Sequence, residues 1–149
     1  MAQTETASLS VAIVGGGIGG LCVAIGVIKH CPHIKLTLYE AASHFDEIGA
    51  GVAIGPNATR AMSLIDPAVK EGFDKISTTN QWESKKDVWF EFRRGVDMDY
   101  KTGRAKTGEL ITALECPKGQ ATVHRARFLD ELVKLVSKQM AHFGKSCGY

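Results

Sequence analysis

The sequence predicts an α/β fold that opens with a parallel β-α-β unit, and three observations carry that prediction. Val11-Ala12-Ile13-Val14 is an apolar, β-branched run of the kind that forms a buried strand. Gly15, Gly17 and Gly20 follow it on the spacing G-x-G-x-x-G, and Leu21 to Ile28 continue as a proline-free apolar stretch that reads as a helix. Ile34 to Tyr39 then gives a second strand-like run ending at Glu40, 20 residues beyond Gly20. Strand, glycine turn, helix, strand and acid in this order make a Rossmann-like unit.

Each glycine in the turn has a physical task. Gly15 permits the tight turn off the strand, Gly17 lets a pyrophosphate approach the backbone, and Gly20 lets the helix lie close on the strand. The helix start offers unpaired N–H groups and a partial positive charge to phosphates. Glu40 is placed to accept hydrogen bonds from a ribose and to repel a 2′-phosphate, which favours FAD or NAD over NADP.

The chain has 149 residues, a length that suits one domain. Its net charge of +2 gives no ground for a nucleic-acid or anionic-membrane partner. Cys22, Cys31, Cys116 and Cys147 lack C-x-x-C spacing, so neither a disulfide framework nor a zinc site is expected. His30 and His33 have no third ligand nearby, and no metal is expected. The polar N-terminus MAQTETASLS carries no secretory pattern. The apolar stretch 11–28 has membrane-spanning length, but six glycines in a turn pattern favour strand plus helix. The expected location is cytoplasmic.

Beyond Glu40, Ala41–Pro56 ends in GAGVAIGP and reads as a backbone-permissive loop against which something large and flat can lie. Ile48, Val52 and Ile54 in it need burial. Asn57 is the expected N-cap of a helix over Ala58–Ile65, with Ala61, Met62 and Ile65 inward. Asp66-Pro67 stops that helix and starts a turn over Ala68–Gly72. Arg60 faces either solvent or a bound phosphate.

Asp87–Arg93 and Leu110–Glu115 alternate as two strands of a small separate sheet, with polar, turn-like residues 100–104 between them. Thr122–Arg125 then precedes a helix with an apolar stripe of Phe128, Leu129, Leu132, Val133, Leu135 and Val136. Arg125 stands at its start, where the helix dipole disfavours a free cation; a nearby anion or plain solvation would each account for it. Only two strands of the first sheet are evident, so the stripe residues Leu132, Val133 and Val136 risk lacking partners.

Five stretches together resemble the FAD-dependent aromatic hydroxylases, and most closely the salicylate hydroxylase-like monooxygenases of fungi. They are VAIVGGGIGGL (11–21), YEAASHFDEIGAGVAIGPNATRAM (39–62), DVWFEFRRG (87–95), VHRARFLDELVKLV (123–136) and AHFGK (141–145). The resemblance implies that Gly15, Gly17 and Gly20 seat the FAD pyrophosphate and that Glu40 holds the adenosine ribose. It places Ala50, Gly51 and Ala53 beside the flavin ring, and Arg60 and Arg125 near the ribityl-pyrophosphate. In such enzymes NAD(P)H reduces the flavin, which with dioxygen hydroxylates an electron-rich phenol; the cofactor carries the hard chemistry.

The implied organisation is a disordered tail (1–9), the first part of an FAD-binding domain (10–78), a β-rich substrate-domain excursion (79–120) and a truncated return helix (121–149). The fold is then a Rossmann-like FAD-binding unit, incomplete, with a small inserted antiparallel β segment. Family members are several times longer, and neither their Asp-Gly motif nor their later Gly-Asp-Ala segment is present. The chain reads as an N-terminal piece of an NAD(P)H-dependent monooxygenase acting on a small salicylate-like aromatic substrate. The alternative is a non-catalytic dinucleotide-binding fragment. An NAD-dependent dehydrogenase is disfavoured by the GAGVAIGPNA loop. Catalytic residues and oligomeric state are not readable. The chain by itself is expected to be poorly stable, to bind FAD weakly or not at all, and to lack hydroxylase activity.

Overall fold

A computed structural model of the chain describes residues 9–45, 50–97, 102, 106–117 and 119–146. The expected disordered tail therefore lies outside the described residues except for Leu9, as do Ile48 and most of the turn at 100–104.

Strand β1 (Ser10–Val14), helix α1 (Ile18–His30) and strand β2 (Lys35–Tyr39) form the predicted unit. The two strands pair in parallel, from Ser10 opposite Lys35 to Val14 opposite Tyr39. Lys29 and His30 fill the last turn of α1, where cations suit the dipole. The His30 Nε2 lies 2.8 Å from the carbonyl of Ile65, so this ring ties α1 to the next helix.

Strand β3 (Gly51–Ile54) occupies the stretch expected to be a loop. Its Val52 and Ile54 are half-buried while Gly51 and Ala53 face out, the alternation of a one-sided strand. Helix α2 (Pro56–Ile65) begins two residues earlier than Asn57 implies: Gly55 is its N-cap and Pro56 its first residue. Proline favours that position because its missing N–H would be unpaired there anyway. Met62 and Ile65 turn inward as expected, but Ala61 is exposed. Helix α3 (Pro67–Ile76) is a full helix, longer than the short turn the sequence suggested. The Asp66 carboxylate caps it by accepting from the Ala68 N–H at 2.9 Å.

Strand β4 (Thr78–Thr79) leads to β5 (Val88–Arg93) and β6 (Leu110–Glu115), which pair antiparallel as a separate two-stranded sheet. Phe90, Phe92, Leu110, Ile111 and Leu114 of this hairpin are exposed. Strand β7 (Ala121–His124) runs antiparallel between β3 and β4, and helix α4 (Arg125–Val133) follows at once. Strand β8 (Ala141–His142) then pairs in parallel with β2, giving the first sheet a third strand in the order β1-β2-β8.

The core lies between this sheet and the helices. Ile13, Leu36 and Leu38 meet Leu21, Ala24 and Ile25 of α1. Phe73 of α3 and Phe128 of α4 meet edge to face at 5.5 Å. Leu132 and Val136 are buried and Val133 packs against the same core, so the apolar stripe does not lack partners. Cys22, Cys31 and Cys116 carry free thiols, and burial pushes the Cys22 thiol up. Among the described residues, no helix is long and apolar enough to cross a membrane.

Candidate functional site

The C-terminal ends of β1 and β2 and the start of α1 frame a small cleft, the place where ligands bind in open α/β sheets. It has a volume of about 230 Å³, and Gly16, Gly17, Glu40, Phe45 and Arg125 are among its walls. A cleft of this size lies below the roughly 300–1,000 Å³ that encloses a drug-sized ligand.

The glycine turn has the geometry its spacing implies. Gly15 adopts φ +103°, which side-chain-bearing residues rarely reach, and its N–H donates to the Tyr39 carbonyl at 2.8 Å. A Cβ on Gly20 would stand 1.9 Å from the Gly15 carbonyl oxygen, so α1 can start this close to β1 only with glycine there. At Gly17 a Cβ would have, among the described residues outside its chain neighbours and the backbone of α1, the Arg125 Nη2 within reach, at 3.9 Å. The positive start of α1 and the Arg125 guanidinium thus face one gap, an arrangement suited to an anion.

Glu40 leaves β2 at its C-terminal end and turns back on the glycine loop. Its Oε2 accepts from the Gly16 N–H at 2.6 Å and its Oε1 from the Ala42 N–H at 2.8 Å. These amides, Ala42 before Gly16, hold the Glu40 carboxyl below its ordinary value. The carboxylate is therefore charged, fixed in direction and still able to accept from a diol, since each oxygen has two acceptor sites.

Arg125 is brought here by pairing 70 residues away in the chain. Strand β7 lies on β3 with His124 opposite Gly51, and the Arg125 N–H donates to the Ala50 carbonyl at 3.1 Å. The β3–β7 ladder thereby fixes where α4 begins. Gly51 and Ala53 are exposed on β3, and Ala50 stands exposed just before it. Arg60 is exposed on α2 and does not line the cleft. So the structure gathers Gly17, Glu40 and Arg125 around one cleft, with Gly15 and Gly20 shaping its floor, and leaves Arg60 outside it.

Two aromatic residues that the sequence reading passed over belong to this neighbourhood. Phe45 lines the cleft and meets Phe143 edge to face at 4.8 Å. A Cβ on Gly16 would lie 2.6 Å from the Phe45 ring and 3.0 Å from the Glu40 Oε2, so a side chain there would displace the ring. No periodicity connects Phe45 and Phe143; the one local signal is an aromatic residue within the short stretch after Glu40.

The residues fit a dinucleotide on its adenosine-diphosphate side: a gap with no Cβ, an anion-seeking pair of positive groups and a directed carboxylate. The chain is 49% identical over 143 residues to 6-methylsalicylate 1-monooxygenase of Aspergillus terreus, spanning 96% of this chain and 30% of that relative. It is 43% identical over 140 residues to a salicylate hydroxylase of Pseudomonas putida, spanning 93% and 28% respectively. A solved salicylate hydroxylase in a substrate complex superposes with a TM-score of 0.66 at 31% identity, over 93% of this chain and 28% of that one. The same fold recurs in 2-methyl-3-hydroxypyridine-5-carboxylic acid oxygenase, with a TM-score of 0.63 at 17% identity, over 92% of this chain and 32% of that one. No protein-family model matches the chain. The chain spans about 30% of the length of the curated relatives it matches.

Proposed function

We propose a function from one premise: the chain is homologous, over about 95% of its length, to the N-terminal portion of FAD-dependent aromatic monooxygenases that include salicylate hydroxylase. The proposed role is to hold FAD in an NAD(P)H-dependent flavoprotein that hydroxylates a phenolic, salicylate-like substrate. The observation that carries it is the convergence of Gly17, Glu40 and Arg125 on one cleft at the strand ends.

In this reading the Gly17 backbone and the α1 N-terminus take the pyrophosphate, with Gly15 and Gly20 allowing the turn and the close helix. Arg125 supplies a fixed positive charge to the same phosphates, and a guanidinium suits that geometry better than an ammonium. Glu40 accepts from the ribose hydroxyls. Ala50, Gly51 and Ala53 keep the β3 surface low where the flavin ring would lie, and Arg60, exposed on α2 outside the cleft, is given to the ribityl-phosphate side by the family resemblance alone. When bound, the flavin supplies the redox and oxygen chemistry. What this chain's residues do is bind and orient it; none of them is proposed to move a proton. Residues 10–78 and 121–149 are taken as FAD-binding parts, and 79–120 as the start of a substrate-covering sheet.

The exposed apolar residues of the β5–β6 hairpin favour one further point: a two-stranded ribbon alone is marginal in water, and we propose that the 149 residues by themselves do not hydroxylate. The test is to express residues 1–149, saturate them with FAD and follow NADH consumption with added salicylate. The expected result is weak flavin retention and no phenol-dependent turnover. A yellow protein that keeps flavin through gel filtration and consumes NADH with salicylate overturns this and makes the short chain an enzyme.

A further inference from the structure

We infer that the cavity between the β3-β7-β4 sheet and helices α2 and α3 is a second ligand site, and that its ligand is a neutral single-ring compound carrying a hydroxyl, a phenol in the simplest case. The site shares no lining residue with the cleft at the α1 start and does not depend on what that cleft holds.

The sheet register makes the cavity. Ile54 of β3 stands opposite Ala121 of β7, and Thr79 of β4 stands opposite Ala121 from the other side. These three residues form one row across the sheet, and all three line the cavity. Side chains alternate between faces along a strand, so the row lies on the face opposite to Gly51 and Ala53. The next row on this face, Val52 with Val123, is packed, and Val123 belongs to the core. At Ala121 the middle of the row is small, and the space it leaves is not filled by α2 or α3. Phe73 of α3, buried in the core, forms the inner wall. The cavity has a volume of about 290 Å³, at the low edge of the roughly 300–1,000 Å³ of small-molecule sites, which suits one ring.

The walls are stiff. Pro56, the first residue of α2, supplies one rigid ring and Pro117 another. The turn that carries Pro117 is clamped: the Cys116 N–H donates to the Asp87 carbonyl at 2.8 Å, and the Gly119 N–H to the Cys116 carbonyl at 2.9 Å. Gly119 has φ +60°, and a Cβ there would lie 2.4 Å from the Lys86 carbonyl oxygen, so the turn sits directly on the backbone leading into β5. A cavity held in shape this way, and a flat ring without internal torsions, both lose little freedom on binding.

The polar groups select the ligand's charge. Lys70 and Asp74, one turn apart on α3, form an ion pair and both line the cavity. A hydroxyl matches such a pair: it accepts from the ammonium and donates to the carboxylate, and both bonds are charge-assisted. A ligand carboxylate is repelled by Asp74 and a ligand ammonium by Lys70, so the pair favours a neutral group. The Thr59 and Ser77 hydroxyls also line the cavity, but they donate to the Pro56 and Asp74 carbonyls, at 2.9 and 3.5 Å. They therefore offer acceptor oxygens only, which again suits a ligand that donates.

The experiment is titration of the isotope-labelled 149-residue chain with phenol and with benzoate, followed through its backbone amide resonances and repeated with Ala121→Ile and Asp74→Asn. The fold of each variant is checked by circular dichroism. Phenol is expected to shift the amides of Ile54, Asp74, Ser77 and Ala121 with a Kd of about 1 mM, ordinary for so small a ligand, and benzoate to bind at least about tenfold more weakly. Ala121→Ile fills the cavity and is expected to abolish the phenol shifts while the fold is kept. Asp74→Asn removes the negative charge, leaves Lys70 to attract an anion, and is expected to bring benzoate to within about threefold of phenol. Phenol shifts confined to the cleft at Glu40 and Arg125, no phenol shifts at all, or benzoate binding the parent as tightly as phenol overturns the inference. So does a folded Ala121→Ile chain with unchanged phenol affinity, or a folded Asp74→Asn chain with unchanged discrimination. Should Ala121→Ile not fold, the benzoate and Asp74→Asn comparisons decide.

Discussion

Two glycines of α1, Gly20 and Gly26, are chemically alike and opposite in consequence, and substituting them tests the β1–α1 geometry directly. A Cβ on Gly20 would sit 1.9 Å from the Gly15 carbonyl oxygen and 3.1 Å from the Gly15 carbonyl carbon. That is about 1.5 Å short of an ordinary contact, and both parties are backbone, so no rotamer change relieves it. Overpacking costs about 1–3 kcal/mol, and a rigid backbone neighbour puts Gly20→Ala near about 3 kcal/mol. At Gly26 a Cβ would meet, among the described residues outside its own helix backbone, only Ile65 Cγ2, at 3.8 Å. Gly26 stands inside α1, so alanine there gains about 1 kcal/mol of helix propensity. In urea, with a slope of about 2 kcal/mol/M, the midpoint falls by about 1.5 M for Gly20→Ala and rises by about 0.5 M for Gly26→Ala. A Gly20→Ala chain as stable as the parent, or a Gly26→Ala chain less stable by about 1 kcal/mol, would refute the packing described for this helix.

The remaining predictions follow from the site and the core. Glu40→Gln is expected to weaken ADP and FAD binding by about 1–3 kcal/mol, the worth of a hydrogen bond to a charged acceptor, read by titration. The Glu40 carboxyl is held below 4.5, so its contribution to stability is complete above pH 4.5 and is lost as pH falls through the lower folded value. Urea midpoints measured across roughly pH 3–6 should therefore fall less steeply with acid in Glu40→Gln than in the parent; an identical acid limb contradicts this. Phe73→Ala removes a fully buried ring paired with Phe128 and is expected to cost about 3–5 kcal/mol, seen as loss of the cooperative melting transition or a large fall in midpoint.

What the sequence disclosed was local. The β1-α1-β2 unit was legible because its glycine spacing, apolar runs and terminal acid all lie within 31 consecutive residues. The α4 stripe was legible because helical periodicity needs no partner to be seen, although the helix ends at Val133 and Val136 is buried in the turn that follows. What escaped was non-local. Strand β3 looks like a glycine loop until β7, some 70 residues later, pairs with it, and β7 itself is only four residues long. Strand β8 has two residues and exists because β2 has an open edge beside it. Asn57 suggests an N-cap by its side-chain chemistry, but Pro56 is the stronger signal, for a helix that begins one residue after Gly55. At the site, Gly17 and Glu40 were singled out from type and position, whereas Arg125 was left open between an anion and solvation until the family resemblance gave it a place; the structure puts all three at one cleft. The Phe45–Phe143 contact was not, because it joins residues 98 positions apart with no shared pattern.

The central claim is that the cleft between the α1 start, Glu40 and Arg125 is where FAD is held. The most direct test is a titration of isotope-labelled chain with FAD, followed through its backbone amide resonances. The account predicts that the amides of Gly16, Gly17, Ile18 and Ala42 shift most, together with the side-chain Nε–H of Arg125. Shifts confined to the β5–β6 hairpin or to the α2–α3 face, or no shifts at saturating FAD, would contradict it.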